Sequence, residues 1–260
     1  EPQNTHALFL PRSLPSARPN WGVSAHILRA SLFGMCGRYA VSADVDELTE
    51  IFEIDEVAGP LPGPDYNVAP TDPVPAIMER DRADGRRRVL AEVRWGLVPS
   101  WSKDATGAAR LINARVETLA EKPAYRKAFA ARRCLLPADG YYEWYQLPDS
   151  KTKQPYFIRP AGGGLLVMAG LYEFWKAPDG TWLATTTVIT TAAADEVGHI
   201  HDRMPMVVAP ENWEAWLDPG FGMDARALLT VPAPSLTYYP VSTAVNKVAN
   251  DGPELITPLS

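Results

Sequence analysis

Residues 141–158 read YYEWYQLPDSKTKQPYFI, a pattern typical of a β-hairpin. Aromatic and apolar residues occupy both ends of this stretch, and Pro148-Asp149-Ser150 supplies a turn between them. Strand-like runs follow at Leu165–Leu171 and Trp182–Thr190, and a second turn at Pro178-Asp179-Gly180 joins them. Successive hairpins without βαβ alternation predict an α+β fold. We expect one domain with a curved, mostly antiparallel β-sheet that forms a partly closed barrel with peripheral helices.

The sequence changes character at Met35. Residues 1–35 contain scattered prolines and serines and no sustained period, whereas residues 36–260 are well patterned. We therefore predict a leader at 1–35 that is disordered or not native, and a folded domain at 36–260. The apolar patches of the leader are too short for a signal-peptide core. Its origin stays open between a start-site error, residues added upstream of the natural start, and a real extension that is later cut off.

Composition limits the classes of function. Among 260 residues, 46% are hydrophobic and 22% are charged, which is enough apolar material for a sizeable core. No run of about 18 apolar residues is present, so we expect no membrane span. The net charge is −6, and because the leader carries Glu1 and three arginines, the remainder is near −8. This charge argues against coating nucleic acid through bulk electrostatics, while a local basic groove is compatible with it.

The stretch Met35-Cys36-Gly37-Arg38-Tyr39 holds the most reactive candidate. We interpret Met35 as the biological start, because methionine before a small residue is ordinarily removed, which would leave Cys36 at the N-terminus. An N-terminal cysteine carries an amine and a thiol on adjacent carbons, and together these can condense with an aldehyde to a thiazolidine ring. The ordinary pKa of an α-amine, ~7.7–8.0, leaves part of it uncharged at neutral pH. The alternative for Cys36 is a buried small hydrophobic residue in a β-strand.

Two further candidates lie on predicted strands. In Asn113-Ala114-Arg115, alternation places Asn113 and Arg115 on one face. Glu143 is a carboxylate among aromatic residues, and apolar surroundings would raise the pKa of its carboxyl group toward the range useful for proton transfer. The alternative for Glu143 is a surface position or an ion pair.

His199 and His201 are the histidines of the predicted domain, and they share a face if that stretch is extended. Each is also compatible with a purely structural role. Two cysteines and two histidines without ligand-like spacing argue against zinc, and we expect neither a metal nor a cofactor. The two cysteines, Cys36 and Cys134, fit a reducing compartment. No phosphate-binding glycine loop, dinucleotide motif or hydrolase nucleophile elbow is present.

Six short motifs occur in one order along residues 36–205. They are Cys36-Gly37-Arg38, Tyr66–Pro70, Trp95-Gly96 with Pro99 and Trp101, Asn113–Thr118, Glu143-Trp144 and His201–Pro205. Their order resembles the SOS response-associated peptidase (SRAP) family of abasic-site-processing proteins, and the likeness continues to Pro258. The resemblance implies that residues 36–260 form a SRAP-like catalytic domain. It further implies binding to single-stranded DNA with abasic sites and a covalent thiazolidine cross-link to the opened sugar, by lyase-type imine chemistry.

The resemblance also assigns roles to individual residues. Cys36 would form the cross-link, and Asn113 would orient the reacting groups through hydrogen bonds. Glu143 would act as general acid and base, and His201 would shuttle protons. Arg38, Arg115 and Arg203 would pair with the flanking phosphates. Trp95, Trp101 and Trp144 would stack on bases or form a wall of the pocket, and Pro70 would act as a wedge.

Two consequences of the resemblance concern setting and alternatives. It implies a protein of the bacterial cytoplasm that joins the nucleoid when bound to DNA, and we expect a monomer without membrane partners.

If residues 1–35 stay attached, Cys36 has only an amide nitrogen and cannot form an imine. Three outcomes stay open: Met35 is the true start, the leader is removed autocatalytically, or the chain is inactive in cross-linking. The other functions left open are a thiol peptidase using Cys36 and a non-covalent single-stranded DNA-binding module.

Overall fold

The computed structural model describes residues 37–83, 85–148, 150–193, 195–230 and 235–259. The predicted leader and Cys36 lie outside these residues. Within them the chain is rich in strands. The strands are β1 (Tyr39–Val41), β2 (Glu56–Ala58), β3 (Asp65–Val68), β4 (Pro73–Arg82), β5 (Gly85–Trp95), β6 (Asn113–Arg115), β7 (Arg133–Ala138), β8 (Gly140–Gln146), β9 (Lys153–Pro160), β10 (Leu166–Lys176), β11 (Trp182–Ala192), β12 (Arg203–Pro205) and β13 (Leu236–Pro240).

The helices are short and lie between the strands. They are α1 (Val45–Phe52), α2 (Arg126–Ala131), α3 (Asp195–Gly198) and α4 (Trp213–Leu217). Turns of 3-10 helix occur at Ala108–Arg110, Val116–Thr118, Pro210–Asn212, Pro219–Thr230, Thr243–Asn246 and Pro253–Ile256. α1 begins at an aspartate cap, because the Asp44 carboxylate accepts a hydrogen bond from the Glu47 backbone N–H at 2.9 Å. Its apolar stripe is only partly buried: Leu48 and Phe52 are inside, whereas Ile51 is exposed.

Five strands close into a barrel. β11 pairs with β10, β10 with β7, β7 with β4 and β4 with β5, and all four pairings are antiparallel. The ring closes through a parallel pairing of β5 with β11, at Arg94 with Thr185 and Trp95 with Thr186. The predicted barrel is therefore confirmed, and the closing pair is an addition that the hairpin pattern did not predict.

The two faces of the barrel strands have different surroundings. Inward side chains from all five strands share one core, for example Ala76, Val93, Cys134, Met168 and Val188. Outward side chains of the same strands pack under the helices. Examples of this outer layer are Ile77, Leu135 and Ile189 with Phe52 of α1, Phe129 of α2 and Trp216 of α4. The predicted peripheral helices are thus confirmed.

A second, fully antiparallel sheet has the strand order β13-β9-β8-β1-β3. The predicted hairpin forms its centre, with Tyr141 of β8 opposite Ile158 of β9. Tyr141 and Ile158 face the barrel core. Tyr142 and Phe157 point the other way, into a small core with Val245 and other residues of the C-terminal segment. The sheet therefore has a barrel face and an outer face, and each residue of β8 belongs to one of them.

Gly96, at the end of β5, should tolerate no side chain. Its φ of +123° favours glycine, and an added Cβ would lie 2.8 Å from the Ala108 carbonyl oxygen. We expect Gly96→Ala to lower the free energy of unfolding by about 2–4 kcal/mol, since backbone strain and a clash with main chain act together. Gly63→Ala is the matched control, because its Cβ would meet nothing within 4 Å. Denaturant titration measures both variants, and equal losses would contradict this account.

Candidate functional site

Two short strands, β6 and β12, flank β11 and carry three of the predicted site residues: Asn113, Arg115 and Arg203. β6 runs parallel to β11, with Asn113 opposite Val188 and Arg115 opposite Thr190. β12 lies on the other side of β11, and Arg203 pairs with Ala192, two residues after Thr190. Because side chains alternate along a strand, Asn113, Arg115 and Arg203 lie on one face of this sheet. The predicted shared face of Asn113 and Arg115 is confirmed; Asn113 is half-buried and Arg115 is exposed.

Tyr125 fixes the backbone of β6. Its hydroxyl donates a hydrogen bond to the Asn113 carbonyl oxygen at 3.2 Å. Burial raises the pKa of Tyr125 to about 12, so the hydroxyl keeps its proton and remains a donor at physiological pH. The side chain of Asn113 is therefore presented by a strand that is held on both sides.

Glu143 is buried in β8, with only 4% of its surface exposed. It lies directly opposite Tyr156 of β9, and alternation places it on the barrel face together with Tyr141 and Tyr145. A surface position, one alternative for this residue, disagrees with that burial. The structure thus places a carboxylate among aromatic rings, as predicted.

His201 lies just before β12 and is half-buried. Its Nδ1 accepts a hydrogen bond from the Arg203 backbone N–H at 3.0 Å. In the neutral ring Nδ1 must then supply a lone pair, so the proton resides on Nε2. Asp202 Oδ1 lies 3.2 Å from the same Nδ1 and would accept a hydrogen bond from Nδ1–H in a charged ring. The neutral imidazole therefore presents an N–H donor at Nε2.

The elements that carry Asn113, Glu143 and His201 border one core. Ile112 precedes Asn113, Ile200 precedes His201, and Tyr141 lies two residues before Glu143; all three belong to the core that fills the barrel. The neighbouring His199 contacts Tyr145 of β8, with ring centroids 6.3 Å apart. The histidine segment therefore lies against the sheet face that carries Glu143. Sequence separation of these residues is large, and only the barrel brings their strands together.

Arg203 is enclosed by protein groups. It is 9% exposed, and its Nη1 and Nη2 donate to the two carboxylate oxygens of Glu117 at 2.6 and 3.0 Å. Nη2 also donates to the carbonyl oxygen of Thr190 at 2.7 Å. These bonds explain why an arginine is stable at this depth, because a buried guanidinium needs a paired charge. The predicted contact of Arg203 with a phosphate stays a prediction.

Arg38 and Trp144 lie on the outer face of the second sheet, opposite to Glu143. Arg38 Nη1 donates to Asn67 Oδ1 at 2.6 Å and to the Val245 carbonyl oxygen at 3.0 Å. Its guanidinium lies 5.9 Å from the centre of the Trp144 ring. Burial lowers the pKa of Arg38, although nearby carboxylates act in the opposite direction. The structure therefore separates this pair from the Asn113, Glu143 and His201 group by one sheet.

Asn67 connects three parts of the chain through hydrogen bonds, although the sequence analysis includes it only as part of the Tyr66–Pro70 motif. It is 2% exposed, and its Nδ2 donates to carbonyl oxygens of Lys247 and Asn250 at 3.1 and 2.7 Å. Its Oδ1 accepts from Arg38. One buried amide thus ties β3 to the C-terminal segment and to Arg38. Its position between strand residues Tyr66 and Val68 was the signal available in the sequence.

The tryptophans of the 95–101 stretch have opposite environments. Trp95 is 1% exposed, and its Nε1 donates to the Ile112 carbonyl oxygen at 2.9 Å. Its ring meets Tyr39 edge to face, with centroids 5.0 Å apart. A base has no ring face to stack on at Trp95, so a wall of the site is the predicted role compatible with its place. Trp101 is 66% exposed and offers its ring to solvent.

Pro70 occupies the corner of a tight turn. The Asp72 N–H donates to the Ala69 carbonyl oxygen at 3.1 Å, and Thr71 has a φ of +82°. Proline second and a positive φ third define a type II turn, which a β-branched residue enters only with strain. The Asp72 carboxylate accepts from the Ala69 N–H at 2.8 Å, and burial raises the pKa of this carboxyl group. Pro70 is therefore held rigidly; its role as a wedge stays a prediction.

Comparison with known proteins agrees with the motif order. The family model described as SOS response associated peptidase (SRAP) matches residues 35–248. The chain belongs to the SRAP family. "Abasic site processing protein YoqW" of Bacillus subtilis (strain 168) is 42% identical over 229 residues, which cover 85% of this chain and 99% of the relative. "Abasic site processing protein HMCES" of Gallus gallus is 37% identical over 225 residues, covering 75% of this chain and 66% of the relative.

Solved structures show the same fold. A protein from Bacteroides thetaiotaomicron has a TM-score of 0.74 at 24% identity, covering 86% of this chain and all of that one. A phage-related protein from Bordetella bronchiseptica has a TM-score of 0.63 at 29% identity, covering 79% of this chain and 94% of that one. The family predicted from the motifs is therefore confirmed by sequence and by architecture.

In this SRAP chain the structure describes one of the two cysteines, Cys134. Cys134 is fully buried in β7, and its Sγ lies 3.5 Å from Thr186 Oγ1. Burial raises the pKa of its thiol to about 12, so almost none of it is thiolate at neutral pH. The reactive role predicted for Cys36 falls outside the described residues.

Two features are absent from the described part of the chain. No group of three or more His, Cys, Asp or Glu side chains there could hold a metal ion. Over the same residues, no helix is both long and apolar enough to cross a membrane.

The environment of Cys134 predicts its chemical behaviour. When the native protein is treated with iodoacetamide near neutral pH, we expect Cys134 to stay unmodified, because its thiol is buried and protonated. In concentrated guanidinium chloride the same residue should be alkylated, which serves as the control. Peptide mass spectrometry distinguishes the two cysteines. Alkylation of Cys134 in the native protein would contradict the burial described above.

Proposed function

We propose that this protein processes abasic sites in single-stranded DNA by forming a covalent thiazolidine link between Cys36 and the opened sugar. The observation that carries the proposal is the 42% identity with a relative called an abasic site processing protein, over 99% of that relative. The site supports it, because Asn113, Glu143 and His201 border a single core. DNA containing abasic sites is then the partner, and the protein is an enzyme-like trap for this lesion.

The chemistry balances with the amine and thiol of an N-terminal cysteine. The closed sugar opens to an aldehyde at C1, and the Cys36 amine adds to this carbon. Loss of one water gives an imine. The Cys36 thiolate then adds to the imine carbon, and the nitrogen takes up a proton, which closes the five-membered ring. The net reaction joins aldehyde and aminothiol and releases one water, so it needs no oxidant or reductant.

The site residues supply what these steps require. Sugar opening moves a proton between two oxygens, and Glu143 is a buried carboxyl group suited to give and take it. Imine formation needs a proton on the departing hydroxyl, which His201 can donate when its ring carries both protons; the neutral ring itself donates only a hydrogen bond through Nε2–H. The amide of Asn113 can orient the sugar by hydrogen bonding. Tyr156, opposite Glu143, would help to exclude water from the carboxyl group.

Contacts with the DNA fall to exposed groups. Arg115 lies on the face of Asn113 and is exposed, so its guanidinium can reach a phosphate beside the lesion. Trp101 can stack on a base, an interaction that contributes about 1–3 kcal/mol. With a net charge of −6, reversible binding to intact DNA would be weak. The covalent bond would then provide the lasting attachment.

The residues ahead of Cys36 matter for this proposal. An amide nitrogen cannot form an imine, so the active form needs Cys36 at its N-terminus. The family match begins at Met35, one residue before Cys36, which supports initiation there followed by removal of methionine. The family name describes a peptidase, which favours a second route in which Cys36 cuts off a leader itself. In either case residues 36–260 would be the functional domain.

Cys36 provides the direct test. Protein expressed from Met35 is incubated with single-stranded DNA that contains one abasic site, and adducts are resolved by denaturing electrophoresis. We expect an adduct with wild type and none with Cys36→Ala. Cys36→Ser should give an adduct only after borohydride reduction, because its amine forms an imine but no thiol closes the ring.

Each alternative has its own result in that experiment. An equal adduct yield from Cys36→Ala would defeat the proposal. Reversible, salt-sensitive binding without any adduct would indicate a non-covalent binding module. Cleavage of the leader by the full chain, lost in Cys36→Ala, would establish the autopeptidase route.

If Arg115 contacts a phosphate, removing its charge should weaken the salt dependence of DNA binding. We expect Arg115→Ala to raise the half-saturating DNA concentration severalfold and to reduce the slope of log affinity against log salt by about 0.7, the value for one contact to a single strand. Arg126→Ala, which removes an exposed arginine of α2, is the matched control. Fluorescence anisotropy with a cross-link-deficient Cys36→Ala background measures both. An unchanged slope in Arg115→Ala would remove it from the interface.

A further inference from the structure

One ion pair crosses β11 and joins the two strands that flank it. Glu117 lies in the 3-10 turn directly after β6, and Arg203 is the first residue of β12. The Arg203 guanidinium binds both carboxylate oxygens of Glu117 and also the Thr190 carbonyl oxygen of β11 between them. The Arg203 side chain thus links β12 to β11 and to the turn that follows β6.

This ion pair continues to His201. The backbone N–H of Arg203 donates to His201 Nδ1 at 3.0 Å, which keeps the neutral ring protonated at Nε2. On the other side, Glu117 lies four residues after Asn113, in the turn that follows β6. The Glu117 carboxylate is therefore connected to Asn113 through its own backbone and to His201 through Arg203.

We propose that Glu117 is a positioning residue, which fixes the spacing of Asn113 and His201 and the proton position on His201 through its two-point ion pair with Arg203. This inference rests on the proposed function of the same site. Glu117 itself would touch neither the sugar nor the DNA.

The geometry favours this role over that of an ordinary surface ion pair. The Glu117 side chain is 51% exposed, but the Arg203 side chain is only 10% exposed. Besides the Glu117 carboxylate, Arg203 also binds the carbonyl and hydroxyl oxygens of Thr190. A planar two-point contact fixes both the distance and the orientation of its partners, unlike a single flexible contact. The hydrogen bond from Arg203 also lowers the pKa of the Glu117 carboxyl group, so the ion pair persists at neutral pH.

The first readout separates positioning from DNA binding. Adduct formation is followed at increasing concentrations of single-stranded DNA with an abasic site, for wild type, Glu117→Gln and Glu117→Ala in the form that has Cys36 at its N-terminus. We expect the maximal rate to fall by about tenfold or more, because small displacements of reacting groups have large effects on rate. The half-saturating DNA concentration should change less than about twofold. An unchanged maximal rate in Glu117→Ala, or a change in half-saturation alone, would overturn the inference.

The second readout needs no DNA and is recorded on the full chain. Nitrogen–proton correlation spectra of the imidazole groups report which nitrogen carries the proton, and a His201→Gln variant assigns the signals. In wild type we expect His201 to be protonated at Nε2, and in both Glu117 variants we expect a shift toward a mixture of the two forms. Identical His201 signals in wild type and Glu117→Ala would overturn the inference. If wild type forms no adduct, the proposed function fails while this spectrum still decides the role of Glu117.

A matched control removes the same charge nearby. Glu121 is exposed and lies four residues after Glu117. Glu121→Gln should leave the maximal rate and the His201 signals unchanged. Glu117→Gln keeps one acceptor for Arg203 and should retain the fold even if Glu117→Ala, which leaves a buried guanidinium without its carboxylate, unfolds.

Discussion

The hydrogen-bonding of β11 is the constraint on which the other features depend. This strand pairs with β10, β5, β6 and β12, so it closes the barrel and also carries the two strands of the candidate site. Its buried positions include threonines, and the hydroxyls of two of them bond to neighbouring backbone: Thr186 Oγ1 donates to the Leu171 carbonyl oxygen at 2.9 Å. Thr185 Oγ1 accepts from the Val98 N–H at 3.0 Å. Satisfied hydroxyls let a polar strand occupy the middle of a core.

Side chains alternate along β8, so the two faces of the second sheet have different surroundings. Glu143 faces the barrel, and the adjacent Trp144 faces the C-terminal segment, where its Nε1 donates to Asn246 Oδ1 at 2.6 Å. The same strand therefore presents a buried carboxylate on one side and anchors the C-terminal segment on the other. Adjacent residues in a motif need not share a site, and in a strand they ordinarily do not.

Local patterns could be read from the sequence, whereas long-range pairing could not. The β8–β9 hairpin follows from residues close to one another, and it was predicted correctly. The parallel β5–β11 pair joins segments far apart in the chain, so no local period signals it. Trp95 and Trp101 show the same limit: they are alike in type and near in sequence, yet only register decides that one is interior. The enclosure of Arg203 by Glu117 likewise depends on β6 and β12 meeting across β11.

The amide of Asn67 has a consequence for biosynthesis. Its carbonyl partners belong to residues 245–250, which leave the ribosome long after β3 has been made. Arg38 also bonds to the Val245 carbonyl oxygen, so the first strand of the domain cannot complete its surroundings before the last tenth of the chain is synthesised. A prematurely terminated product would thus carry the early motif without the framework that holds it. Synthesis must therefore reach residue 250 before the surroundings of Arg38 and Asn67 can be completed.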